Sequence, residues 1–281
     1  MEFMVAVLNN YGGFYQRWVY VHALQQTGAK VHLPCVNNSD SVVNIKNTDA
    51  YLGLIGIQGL THNLISLIPE ERRKNGNYVD LEDLIKRTYL TLEQAIILIR
   101  IGALRFTGKT KKQLLWEVHT YLGSKTNIGS ERSLFNCASK EYKLPALDNS
   151  LIEDAYQELE LLGFPISLTM FDLLKTTYRG DVLAKDLAQH EGKIVKMLGN
   201  FVCDKTVHTI KKTNMWFGTF IDSRGDFFDT THFPNSSTVC PFRGKGCYLI
   251  LGKVVLDFGV PSIEVTKFAK LPIQDNPVLI S

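Results

Sequence analysis

Apolar residues follow a helical rhythm over the middle of this chain and a strand rhythm near its end. Residues 3–48 predict a short helix, a loop at Asn9-Asn10-Tyr11-Gly12-Gly13, and a second helix from Phe14 to about Thr27. Gly28 suits the end of that helix, since a left-handed residue there costs glycine nothing. A short strand, Lys30–Leu33, stops at Pro34, and Asn37-Asn38-Ser39-Asp40 is loop chemistry. Residues 49–124 read as helices. Asp80 is placed to cap one over Leu81–Arg87. Thr91 and Gln94 have capping-box spacing at the start of the next. That helix carries Ile96, Ile97, Leu98, Ile99 and Ile101, is apolar on most faces, and is therefore central. Another runs from about Lys111 to Leu122.

Residues 125–150 are rich in Ser, Asn and Lys and read as a linker, with Ser133-Leu134-Phe135 as an apolar island. An exposed Leu-Phe in a polar linker suits a pocket on another protein; packing on a neighbouring domain is the alternative. An acidic amphipathic helix follows at Leu151–Leu162, ended by Gly163 and Pro165. From residue 192 the pattern changes. Ile194–Cys203, Met215–Ile221, Phe227–Phe233, Cys247–Val255 and Ser262–Phe268 are rich in β-branched and aromatic residues and predict five strands. Asp222–Asp226 is a hairpin turn, and Asn235–Pro241 a short insertion between the third and fourth strands. Five strands with an insertion there follow the OB-fold plan. The fold class is thus multidomain α+β, a helical region followed by a five-stranded OB-fold barrel.

Two glycine-bearing turns sharpen the helical region. In Gly53-Leu54-Ile55-Gly56-Ile57-Gln58-Gly59-Leu60 the chain can turn sharply at Gly59 and open a helix. The first amides of a helix lack intrahelical partners and, with the helix dipole, favour an anion. A second such turn lies at Ile101-Gly102-Ala103. Two tandem helix-hairpin-helix units gripping a phosphate backbone are one reading; an ordinary αα turn is the other.

Net charge is only +3, but its distribution is uneven. Between residues 100 and 125, Arg100, Arg105, Lys109, Lys111, Lys112 and Lys125 face Glu117 alone, whereas residues 144–162 hold five acids and no base. Beside two candidate turns, the basic stretch points to DNA. The duplex-binding set is Gly59, Thr61, Arg100, Gly102, Arg105, Lys109, Lys111 and Lys112. On the barrel, Lys205, His208, Lys211, Lys212, Trp216 and Phe217 mix base and aromatic, the dress of a single-strand surface. Strand alternation buries either Trp216 or Phe217.

The five cysteines, Cys35, Cys137, Cys203, Cys240 and Cys247, form no C-x-x-C pair and suggest neither disulfide framework nor zinc site. A reducing, cytoplasmic compartment fits them. No apolar run approaches a membrane span, and Met4–Leu8 is too short for a signal sequence. The first residues read like the middle of a buried helix, as expected of a fragment or one half of a split gene.

Several motifs occur together: Glu2-Phe3-Met4 with Leu8-Asn9-Asn10 and Gly13-Phe14-Tyr15; Pro34-Cys35-Val36-Asn37-Asn38-Ser39; Leu98-Ile99-Arg100-Ile101-Gly102-Ala103; Leu161-Leu162-Gly163-Phe164; and Phe217-Gly218-Thr219-Phe220 with Phe233-Pro234 and Gly252-Lys253-Val254. In this order the chain resembles the C-terminal part of the bacterial DNA polymerase III alpha subunit, replicative or error-prone. The resemblance implies that residues 1–48 are the end of the fingers, 49–124 tandem hairpins on duplex DNA, 125–191 a linker with a sliding-clamp contact at Ser133, Leu134 and Phe135, and 192–281 an OB-fold on the template strand. It implies DNA, the clamp and the remaining polymerase domains as partners. Mg²⁺ is expected only with the palm carboxylates, which have no counterpart here, so no polymerase activity is expected of the chain alone.

The sequence departs from the family at the fingers helix, which reads Tyr20-Val21-His22-Ala23-Leu24-Gln25 without the family's acid and arginine. Thr61 stands where a second glycine is common, and Glu131 precedes the clamp anchor instead of a glutamine. A metal-dependent nuclease at Asp222, Asp226 and Asp229 and a stand-alone single-strand binding protein are the competing readings.

Overall fold

The computed structural model describes residues 1–10, 13–123, 150–208 and 213–279. The chain forms two compact units. One comprises Met1–Gly12 and Ala23–Ser167, the other Gly13–His22 and Leu168–Ile280. These units cut across the expected segments, because residues 13–22 join the barrel.

In the first unit, α1 spans Glu2–Asn9, and α2 (Arg17–Gln26) begins in the second unit and ends in the first. Gly28 is left-handed, as expected after a helix. Three short strands follow, β1 (Lys30–His32), β2 (Asn44–Lys46) and β3 (Asp49–Tyr51). They form a sheet with β3 in the middle, parallel to β1 and antiparallel to β2. Strands β2 and β3 were not expected from the sequence, since three residues are too few to show alternation. Helices α3 (His62–Asn75), α4 (Leu81–Thr88), α5 (Leu92–Arg100), α6 (Lys111–Gly123) and α7 (Leu151–Leu162) complete the unit. Its core gathers Ile68, Leu84, Leu98, Ile99, Ile101 and Leu104, all fully buried. Helix α5 supplies much of it and packs on both α6 and α7.

In the second unit β4 (Ile194–His208), β5 (Asn214–Ile221), β6 (Phe227–His232), β7 (Cys247–Asp257) and β8 (Val260–Lys270) close into a barrel in the order β4-β5-β6-β8-β7. Helix α8 (Pro234–Val239) sits between β6 and β7. Only β6 and β8 run parallel among these pairings. This is the OB-fold plan read from the sequence. Bulges at Val202 of β4 and at Thr266 of β8, opposite Leu251 and Gly252, let those two strands bend around the barrel. Phe220, Phe228, Tyr248, Ile250, Val254 and Ile263 fill the interior. Among the described residues, no helix is long and apolar enough to cross a membrane.

Candidate nucleic-acid interface

The first hairpin runs from a 3-10 turn at Leu54–Gly56 into α3. Leu54, Ile57 and Leu60 are buried and hold the turn to the core. Gly59 has φ +82, and a Cβ there would lie 3.1 Å from Cδ1 of Ile97. Both facts reserve the position for glycine. Thr61 is the N-cap of α3, yet its side chain makes no capping bond. By contrast Asp80 caps α4, Thr91 caps α5, and Thr110 with Gln113 forms a reciprocal capping box on α6. Helix α3 therefore starts without the side-chain acceptor that its neighbours possess, the arrangement an incoming anion can complete.

The capping box expected between Thr91 and Gln94 is only half made. The Gln94 amide donates to Oγ1 of Thr91 at 3.4 Å. The Gln94 carboxamide instead reaches the first hairpin, where Oε1 accepts from the Thr61 amide at 2.9 Å and Nε2 donates to the Gly59 carbonyl at 3.0 Å. The Gln58 amide donates to the Leu161 carbonyl at 2.8 Å, which fastens the same turn to α7.

The second turn differs. Gly102 has φ +75, its amide donates to the Ile99 carbonyl, and the Ala103 amide donates to the Leu98 carbonyl, both at 2.9 Å. This is a Schellman cap on α5. The amide at Gly102, expected to face phosphate, is thus spent within the protein. Arg105 likewise donates to the carbonyls of Leu33, Pro34 and Gly102 and staples the loop after β1.

The remaining cations of the set are paired. Arg100 contacts both Glu160 oxygens, at 3.1 and 2.5 Å, and its hydrogen bond and charge hold that carboxyl below the usual range. Lys109 contacts Glu117 at 2.7 Å. Lys111 lies 2.6 Å from Asp154 and donates to Gln157 at 2.9 Å, and Lys112 lies 3.8 Å from Glu153. Helix α7, which the sequence offers as a separate acidic patch, lies against the basic helices and screens them. The α6 face of Lys112, Leu115, Trp116 and His119 lines an open groove of about 410 Å³, a face not singled out from the sequence despite its helical spacing.

On the barrel, Lys205 of β4 stands opposite Phe217 of β5, and both are exposed. Trp216 stacks on Phe242, centroids 5.4 Å apart, so Trp216 is the packed member of the pair. Lys211 and Lys212 lie outside the described residues, as do Ser133, Leu134 and Phe135. Across the sheet Phe217 is level with Thr231 and Glu264, and Thr219 with Asp229 and Ser262. Carboxylates therefore mark the β6–β8 side of the surface.

Near the other end, Trp18 and Val19 pack with Val202, Cys203 and Ile221, in a cluster separate from the barrel interior. Nε2 of His22 lies 2.8 Å from the Gly225 carbonyl oxygen, and its ring lies 6.2 Å from that of Phe227. In the β5–β6 turn the Asp222 carboxylate accepts from the amides of Ala184, Arg224 and Asp226, and Asp229 accepts from Thr219. Turn and strand hydrogen bonding accounts for Asp222 and Asp229, which leaves the nuclease reading without support.

A model of the helix-hairpin-helix motif matches residues 28–114. The DNA polymerase III subunit alpha of Treponema pallidum is 29% identical over 252 residues, covering 83% of this chain and 21% of its own. The Staphylococcus epidermidis subunit is 26% identical over 230 residues, 78% of this chain and 21% of its own. An error-prone DNA polymerase from Mycobacterium tuberculosis is 34% identical over 106 residues, 37% of this chain and 10% of its own. The chain thus spans about a fifth of the length of the alpha subunits it matches. With its helical hairpins and closed five-stranded barrel, the chain is similar over most of its length to the C-terminal region of the bacterial DNA polymerase III alpha subunit.

Proposed function

We propose that this chain is the DNA-gripping part of a polymerase III alpha-type enzyme. The start of α3 after Gly59 receives a backbone phosphate, Lys109, Lys111 and Lys112 of the second hairpin add charge, and the Lys205–Phe217 face of the barrel receives the single-stranded template. The segment Ser133-Leu134-Phe135 contacts the sliding clamp, and nucleotidyl transfer falls to the remaining polymerase domains. The division into 1–48, 49–124, 125–191 and 192–281 describes these functional segments, with residues 13–22 also serving the barrel. The observation that carries the reading is the glycine turn into α3, left without a side-chain cap inside a helix-hairpin-helix match.

The test is fluorescence anisotropy of the chain with primed template, duplex and single-stranded DNA across a salt series. Primed template or duplex binding best, with affinity falling steeply as salt rises, is the expected result. In a pull-down, Phe135→Ala should lose the clamp and keep DNA; retained clamp capture would refute that segment's role. A second reading, a single-strand binding module, is favoured by the contrast between the paired hairpin cations and the exposed Lys205–Phe217 face. It predicts preference for single strands over duplex in the same series.

A further inference from the structure

We infer that Gln94 is a positioning residue that couples the two helical hairpins by setting the phosphate-facing turn of the first; the inference rests on the duplex-binding reading above. Gln94 belongs to α5, the central helix of the second hairpin. Its carboxamide spans the first turn in both senses, accepting from the Thr61 amide and donating to the Gly59 carbonyl. A carboxamide is the neutral side-chain group that does both through one rigid plane. These bonds fix the peptide planes on either side of Leu60, which lead directly into α3. They also use the Thr61 amide, so an anion arriving there meets the helix start itself and not the residue before it.

Ile97, one turn further along α5, touches the Gly59 position from the same side. One face of α5 therefore shapes the turn by hydrogen bonding and by contact. The capping role that the sequence assigns to Gln94 would use the same side chain for another purpose, to close its own helix onto Thr91. The structure gives the carboxamide to the neighbouring hairpin.

Thr91→Ala and Gln94→Ala separate these roles, because the first removes the α5 cap and leaves the Gly59–Thr61 bridge intact. Two readouts apply to the full chain: amide exchange at Thr61, and the salt dependence of duplex binding. In Gln94→Ala the Thr61 amide should exchange faster. Duplex affinity should fall about five- to tenfold, the size expected when the misplaced helix start loses one hydrogen bond to a phosphate. The salt slope should become shallower by up to about 0.5, because the helix start carries roughly half a positive charge. Thr91→Ala should leave the Thr61 amide and the slope unchanged. Gln94→Glu keeps the acceptor for Thr61, loses the donor to Gly59 and adds a negative charge, so it should bind duplex more weakly than Gln94→Ala. Wild-type binding with an unmoved Thr61 amide or slope in Gln94→Ala, or a Thr91→Ala variant that reproduces the loss, overturns the positioning role alone. A wild-type chain that binds no duplex at any salt overturns the duplex reading and this inference with it.

Discussion

The helical unit and the barrel offer nucleic acid two different surfaces. In the helical unit, Arg100, Lys109, Lys111 and Lys112 all have carboxylate partners, three of them on α7. On the barrel, the exposed Phe217 ring lies beside Lys205 while its stacked neighbour Trp216 is packed away. A phosphate reaching the helical cations must displace an anion already present; a base reaching Phe217 displaces water. The comparison teaches that a basic window in a sequence is not a positive potential. The five acids of residues 144–162 lie well beyond that window in sequence, yet Glu153, Asp154 and Glu160 pair with its cations, and Glu158 accepts from the Ser167 amide after α7.

The largest effect that would sharpen this contrast is acid loosening of the barrel alone. His232 is 1% exposed, enclosed by Phe242 and Phe268, and burial pushes its pKa down to about 4. The unfolded chain takes up that proton near pH 6.5, so barrel stability should fall as pH drops from about 6.5 to 4 and change no further on this account below that. The loss amounts to roughly 3 kcal/mol. Denaturant melts across pH, followed by barrel tryptophan or amide signals, should show this slope, and His232→Asn should flatten it. Gly59→Val comes next. It forces a side chain into φ +82 and onto Ile97, at a cost of about 1–3 kcal/mol, and should abolish duplex binding while sparing single-strand binding. Equal loss of both would break the comparison.

Phe217→Ala should do the reverse, weakening single-strand binding by about 1–3 kcal/mol with duplex affinity unmoved in the same anisotropy series. The smallest effect tests the screen. Asp154→Asn with Glu160→Gln frees Lys111 and Arg100 for phosphate, and should strengthen duplex binding and steepen its salt slope by up to about two. An unchanged slope would show that these ion pairs persist in the complex or lie off the DNA path.

Helices α4, α5 and α6 were legible because their caps and apolar spacing are local: Asp80 and Thr91 do cap as their spacing implies. The five strands were legible from β-branched and aromatic runs, and Asp222 from its turn. What the sequence hid depends on distant partners. The spacing of Thr91 and Gln94 is a real capping signal, but the carboxamide finds a better-placed donor and acceptor 33 and 35 residues away. The end of α5 carries two signals in one residue: a glycine directly after an apolar helix also marks a C-cap, and Gly102 serves there before it can serve a phosphate. The pairing of α7 with α6 and the packing of Trp18 on the barrel leave no local signature at all.

That last packing has a consequence for the order in which the protein is made. Val19 and the strand residue Val202, which bury each other's cluster, are 183 positions apart. At about 5–20 residues per second, a ribosome adds that span over roughly ten to forty seconds. Throughout that interval Trp18 and Val19 leave the exit tunnel with their docking surface still unsynthesised. The barrel also cannot be trimmed back to residue 168 without uncovering Val202 and Ile221, so β4 and β5 complete their outer surface with residues made long before them.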